Sequence, residues 1–281
     1  MTVTFQINYR TEYGQTLCVV ETGESISGWT EQHPLQLQCQ GTDFWTATVQ
    51  VSDFLTELEY KYAIRVDGGY IYEAGDARRI TLRHEEKNLT VLQGDIMAVD
   101  LPKITEPLSR PFAVVANIPY YITTPLITRL LTSGLDISRL ALMVQKEVAD
   151  KILSSPGDEG WGPLAIRCRY MCEPYRAMEV PAACFTPPPK VDSTFIVMPV
   201  REKPAVEVKD EEMFFRVAAA AFALRRKTMV NNLCATFRAE RAQAVRWMAD
   251  AGLDEKVRGE RLSLEDLARL ADVMAEGKES I

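Results

Sequence analysis

At about Arg79 the hydrophobic rhythm of this 281-residue chain changes, and that break constrains the fold more than any other feature. Before it, short alternating runs (VTFQINYR, QTLCVV, LQLQC, FWTATVQV, EYKYAIRV, YIYEAG) lie between turn signals, the pattern of half-buried strands. Gly68-Gly69 is a hairpin signal, and a segment of this size suits a small antiparallel β-sandwich. After it, apolar strands alternate with helical stretches, which predicts an α/β domain with parallel strands. NLTVLQG, FAVVANIP and RLALMV are expected strands of that domain. Thr123-Thr124-Pro125 starts a helix that Gly134 stops, and a second helix covers 146–155. PLAIRCRYM and STFIVMPV are expected strands on either side of the proline-rich loop FTPPPK. From Asp210 the pattern is helical, near 210–224, 228–237, 240–251 and 263–275, with Ser263 and Asp266 forming a capping box. The expected domains are thus 1–79, 80–203 and 204–281.

Apolar residues make up 47% and charged residues 25%, enough for sizeable cores and unlike fibrous or disordered chains. No apolar run approaches the roughly 18 residues of a membrane helix, and MTVTFQINYR lacks a signal-peptide pattern, so a soluble cytoplasmic protein without a membrane partner is expected. The six cysteines form no CxxC pair and only two histidines exist, which argues against a metal site and for cysteines as small reduced hydrophobes. Charge is uneven: through Asp76 there are 3 Lys and Arg against 11 Asp and Glu, and beyond it 29 against 28. The acidic first segment will not seek phosphate, whereas the remainder has room for a local basic patch.

Sugars present flat C–H faces, so their sites pair exposed aromatics with amides and charges. Trp29, in the polar loop SGWTEQ, Lys61 and Tyr72 are candidates; Trp45, inside an alternating strand, is assigned to the core. SGW, FW, Glu59-Tyr60-Lys61-Tyr62 and Tyr72-Glu73 together resemble the starch-binding module of amylases and glucanotransferases over nearly all of 1–79. The resemblance implies a starch or glucan platform of Trp29, Lys61 and Tyr72, with Tyr72 where tryptophan is usual.

Asn117-Ile118-Pro119-Tyr120 closes the apolar run FAVVA at the carboxyl end of an expected parallel strand, where open α/β sheets bind ligands. The exocyclic amine of adenine is a poor nucleophile because its lone pair is delocalised. Two acceptors, Asn117 Oδ1 and the Ile118 carbonyl, would hold its hydrogens and free the lone pair. Pro119 stiffens the corner and Tyr120 stacks on the base. In order along the chain come VVANIPYYITTPLI, LMVQKEVADKI, WGPLAI, VPAACFTPPPKVDS, FALRRKTMVNNL and GERLSLEDLARLA. From about Asn88 to Ala275 this closely resembles the small-subunit ribosomal RNA adenine N6-dimethyltransferases.

The resemblance implies an enzyme that uses S-adenosylmethionine to dimethylate adenines of small-subunit ribosomal RNA in the 30S subunit. It implies that Asp95 and Asn117 bind the cofactor, that Asn117, Ile118, Pro119, Tyr120 and Phe185 hold the target adenine, and that Lys190, Arg225, Arg226 and Lys227 face RNA. Taken on residues alone, three consecutive cations such as Arg225-Arg226-Lys227 are more often only a solvated face. The family begins with a strand, a glycine-rich loop, a helix and a second strand ahead of the counterpart of Asn88. No such segment lies between Met1 and Asn88. The expected fold is therefore a β-sandwich followed by an incomplete Rossmann-like α/β domain and a helical subdomain, impaired or inactive alone. A noncatalytic glucan-binding protein, or an RNA-binding remnant left by a hybrid gene, is the alternative.

Overall fold

The computed structural model describes residues 1–22, 28–30, 32–41, 43–52, 55–82, 88–224 and 226–276. It divides into two compact units, Met1–Val99 and Asp100–Ile281.

Among the described residues the first unit is a sandwich of nine strands: β1 (Thr2–Asn8), β2 (Thr16–Glu21), β3 (Leu35–Gln36), β4 (Gln38–Cys39), β5 (Phe44–Gln50), β6 (Glu57–Val66), β7 (Gly69–Tyr72), β8 (Arg78–Thr81) and β9 (Asn88–Gln93). One sheet runs β4-β5-β1-β9, the other β3-β2-β6-β7 with β8 also on β6. Period-two alternation turns Val3, Phe5 and Ile7 of β1 and Leu58, Tyr60 and Tyr62 of β6 into a shared core with Leu17, Val19 and Trp45. The β6–β7 hairpin closes at Val66 and Gly69, with Gly68 at φ +97°, a conformation that glycine adopts without strain.

The placement of NLTVLQ in the α/β domain is corrected here. β9 pairs in parallel with β1, from Thr2 opposite Asn88 to Ile7 opposite Gln93, and its unit continues to Val99 instead of stopping near residue 79. The reason lies in the alternation: Leu89 and Val91 pack on the sandwich core while Asn88 and Thr90 are exposed. An interior parallel strand would be apolar on both faces.

Glu73, just past β7, binds Arg78 at 2.7–3.1 Å through both carboxylate oxygens and accepts the Tyr62 N–H at 3.0 Å. Burial alone would raise its pKa, but these bonds, with the charges of Arg78 and Lys61, hold it below the ordinary 4.5. A depressed carboxyl stabilises the fold above its unfolded pKa and loses that contribution as pH falls through the folded value. Acid unfolding of the wild type should therefore be steeper below about pH 4.5 than that of Glu73→Gln, by an amount on the order of 1 kcal/mol for a partly exposed pair, read by circular dichroism at fixed denaturant.

The second unit begins with α1 (Leu101–Thr105), β10 (Phe112–Asn117), α2 (Thr123–Leu131), β11 (Ile137–Gln145) and α3 (Lys146–Leu153). It continues with α4 (Pro163–Met171), β12 (Tyr175–Val180), β13 (Ser193–Pro199) and the helices α5 (Glu211–Ala220), α6 (Met229–Phe237), α7 (Arg241–Asp250) and α8 (Leu264–Glu276). Its sheet runs β10-β11-β13-β12, with β10 and β11 parallel and β13 antiparallel to both its neighbours. Leu140, Leu142, Val144, Thr194, Ile196 and Met198 line a buried face.

PLAIRCRYM, expected as a strand, is helix α4. Pro163 sits in its first turn, where the missing N–H costs nothing, and Ala165, Ile166 and Tyr170 are buried at helical spacing. The strand ahead of the proline-rich loop is β12 instead.

Helix α5 stops at Ala220, short of the expected 224, because residues 221–224 wrap around Asn232. Its Nδ2 donates to the Ala221 carbonyl at 2.9 Å and its Oδ1 accepts from the Leu224 N–H at 3.0 Å. At α8, Ser263 and Asp266 exchange side-chain-to-backbone hydrogen bonds at 3.0 and 3.2 Å, the expected capping box.

Candidate functional site

Three chain segments meet at one end of the second unit's sheet. Because β10 and β11 are parallel, both carboxyl ends point there, and antiparallel β13 begins there: Asn117 lies opposite Met143, and Gln145 opposite Ser193. Ile118, 2% exposed, anchors the corner through its N–H to the Met143 carbonyl at 3.3 Å. The Pro119 carbonyl accepts from the Ile122 N–H at 3.1 Å and the Thr123 hydroxyl at 3.4 Å, turning the chain directly into α2. Asn117 is exposed at the rim, and Tyr121 beside the corner is 85% exposed.

The proline-rich loop joins the corner through a contact that sequence reasoning missed. The Tyr120 hydroxyl and Ser193 Oγ are 2.9 Å apart, and Ser193 is buried. Asp192 ties down the rest: its Oδ1 accepts from the Ala182 N–H at 2.9 Å and its carbonyl from the Lys146 N–H at 3.0 Å. The available signal was KVDS, immediately after the prolines. Phe185 is half-buried and Lys190 exposed on this loop. Asn117, Ile118, Pro119 and Tyr120 are thus one structural piece, linked to the loop of Phe185 and Lys190 by a hydroxyl pair.

Arg226 and Lys227 are exposed and line a cavity of about 1400 Å³ together with Glu147, Asp150, Arg176 and Glu260; Arg225 lies outside the described residues. Arg226 holds a positive φ of 66°. Arg176 bonds Asp150 and Glu179, and its hydrogen bond draws the Glu179 carboxyl below its ordinary range.

Asp95 belongs to the first unit, is exposed, and its Oδ1 accepts the Met97 N–H at 2.8 Å within its own turn. The chain's one Gly-x-Gly, Gly160-Trp161-Gly162, opens α4 but follows a turn instead of a strand, and Gly160 packs on the Lys151 backbone. A dinucleotide-type cradle needs glycine amides between a strand and a helix beside the ligand. The described residues do not supply one, so they do not fit S-adenosylmethionine as a complete site.

In the first unit, Lys61 and Tyr72 lie on the outer face of their sheet: Tyr72 is opposite Ala63, two residues beyond Lys61 on the same face. Lys61 Nζ donates to the Gly75 carbonyl at 2.7 Å. Tyr70, a residue the sequence reading passed over although YIY alternates, is on that face with its ring centroid 6.4 Å from that of Tyr72. Trp29 is half-buried and packs edge-on to Phe5, centroids 5.8 Å apart. The structure thus brings Lys61 and Tyr72 together and directs the Trp29 ring toward the core. Among the described residues no cluster of potential metal ligands occurs, and no helix is long and apolar enough to cross a membrane.

The sheet with its Asn-Ile-Pro-Tyr corner, followed by a helical subdomain, is an α/β fold of the kind found in ribosomal RNA methyltransferases. The family model for ribosomal RNA adenine dimethylase matches residues 77–276, and this chain belongs to that family. A starch binding domain model matches residues 1–92. The chain is 42% identical over 198 residues to ribosomal RNA small subunit methyltransferase A of Enterococcus faecalis, covering 68% of this chain and 67% of that one. To its namesake from Shouchella clausii it is 35% identical over 247 residues, covering 85% and 83%. A dimethyladenosine transferase from Plasmodium falciparum shares the fold, with a TM-score of 0.55 at 22% identity over 69% of this chain and 74% of that one.

Proposed function

We propose that the second unit engages structured small-subunit ribosomal RNA and presents a target adenine at the Asn117–Tyr120 corner. The observation that carries this is the corner itself, fixed at the carboxyl ends of two parallel strands and tied to the proline-rich loop through Tyr120 and Ser193. Asn117 Oδ1 and the Ile118 carbonyl accept the two amine hydrogens, Tyr120 and Phe185 stack on the base, and Lys190, Arg226 and Lys227 hold phosphates. S-adenosylmethionine is the methyl donor the family reaction requires, and Asn117 is the residue the second unit would offer it. Replacing Arg226 and Lys227 with alanine should lower the slope of log affinity against log salt by about 1.5, since each phosphate contact contributes about 0.7–0.9. Filter binding to a helix-loop RNA from the 3′ end of the small-subunit RNA measures this. An unchanged slope would place the phosphate contacts elsewhere.

For the first unit we propose weak glucan binding on the face of Lys61 and Tyr72, supported by the adjacent Tyr70 and Tyr72 rings. Affinity electrophoresis through soluble starch should show Tyr72→Ala weakened roughly threefold to tenfold, the loss of one stacked ring. Trp29→Ala should instead lower thermal stability, because its ring packs on Phe5. Equal retention of Tyr72→Ala and wild type would remove the platform.

A further inference from the structure

Charge in the first unit is not spread as its net value suggests. Through Asp76 the chain has 3 Lys and Arg against 11 Asp and Glu, yet two of those three cations, Lys61 and Arg65, stand on one sheet face. Leu58, Tyr60 and Tyr62 of β6 turn into the core, so by alternation Glu57, Glu59, Lys61, Ala63 and Arg65 turn outward. The acids of that row are engaged: Arg79 lies 3.8 Å from Glu57 and 2.8 Å from Glu59. Glu73, just past β7, is held by Arg78. Arg65 is exposed, and among the described residues it forms no ion pair, not even with Asp67 in the adjoining turn.

The aromatic rings stand on the same face. Register sets Tyr70 directly opposite Arg65 and Tyr72 opposite Ala63, and such partners have Cβ atoms roughly 4.5–5.5 Å apart. The floor beside them is apolar, because Ala63 and its cross-strand neighbour Cys18 are both buried. Burial pushes the Cys18 thiol up and the Arg65 charge works against that rise, so the guanidinium lies within electrostatic reach of this floor. A sugar stacked on Tyr70 therefore has a free guanidinium at its rim. The guanidinium fork matches phosphate oxygens, and a phosphate monoester carries close to two negative charges at pH 7. Salt screens exposed charges beyond about 8–10 Å, so the acids elsewhere on the unit count for little at this spot. Net charge, which argues against phosphate for the segment as a whole, does not describe this face.

We propose that this face takes an α-glucan bearing phosphate monoesters, its rings on Tyr70 and Tyr72 and its phosphate held by Arg65 with help from Lys61, a refinement that rests on the glucan reading of the same face. Titration calorimetry of the full chain with maltoheptaose, and with maltoheptaose carrying one 6-phosphate, tests this at low salt. The phosphorylated chain should bind roughly threefold to tenfold tighter, the gain of one exposed charge-assisted contact, and added salt should erode that preference. Arg65→Gln should reduce affinity for the phosphorylated glucan to that for the neutral one. Arg65→Lys, which keeps the charge, should retain a preference of about twofold or more. Tyr72→Ala should weaken both ligands. Equal affinities for the two glucans in the wild type, a preference that survives Arg65→Gln, or inorganic phosphate binding as tightly as the phosphorylated glucan would each overturn the proposal. If neither glucan binds, the platform falls with it; if the neutral one binds and the phosphate adds nothing, only the assignment of Arg65 falls.

Discussion

Titration of S-adenosylmethionine into the intact chain should give no saturable heat at micromolar cofactor, and the chain alone should transfer no tritiated methyl to undermethylated small subunits. On the proposed reading the corner orients an adenine amine, but among the described residues no cradle beside it holds the donor. Asp95 is engaged by the Met97 N–H in a turn of the sandwich unit, and among the described residues no strand-glycine-helix cradle follows a neighbour of β10. An affinity weaker than about 1 mM, against 1 μM for a complete site, is a loss of at least about 4 kcal/mol of binding. Positioning adds a second deficit, because a transfer needs its atoms roughly 3–3.5 Å apart and aligned, and that alignment supplies about 7–11 kcal/mol in well-oriented reactions. Micromolar binding with turnover by the chain alone would overturn this and require a cradle elsewhere.

Gly259→Ala should be the most damaging single methyl group in the helical subdomain. Gly259 is buried, and a Cβ there would lie 2.0 Å from the Ala221 carbonyl oxygen and 2.6 Å from its carbon, both backbone atoms. That carbonyl is already fixed by Asn232 Nδ2, and the flanking chain is held where the Met229 N–H donates to the Val257 carbonyl at 2.8 Å. Neither side can yield cheaply, so a cost of about 3 kcal/mol is expected, roughly 6–12 °C in melting temperature for a unit of this size. Gly252→Ala is the control: its φ of +70° penalises alanine, but a Cβ there meets nothing within 4 Å, and about 1 kcal/mol should be lost. Equal melting temperatures for the two variants would mean that the 221–259 contact relaxes more easily than its geometry implies.

The parts legible in the sequence were those written in local pattern. The β6–β7 hairpin, the Ser263–Asp266 box and the corner after FAVVA each depend on neighbours within a few residues, and each formed as expected. What stayed hidden depends on distant partners. NLTVLQ is a strand in either domain, and only the alternation of Leu89 and Val91 with Asn88 and Thr90 marks it for the sandwich, where it joins β1, 86 residues away. PLAIRCRYM has strand-like composition, and Pro163 decided for helix. Ser193 carried no chemical signature of its own; it matters because folding brings it to Tyr120 across 73 positions. Trp29 looked like a surface residue from its polar loop, yet Phe5 lies within reach of its ring edge.

The pairing of β1 with β9 also has a mechanical meaning. The two strands are the first and last of their sheet-forming unit, and they run parallel in unbroken register from Thr2–Asn88 to Ile7–Gln93. A pull on Met1 against the chain leaving Gln93 draws the strands past each other along their length, loading every rung of the ladder together. Such a clasp fails by simultaneous shear, not by unzipping from one end, so tension drawn through the chain leaves the sandwich closed until the whole row of bonds gives way.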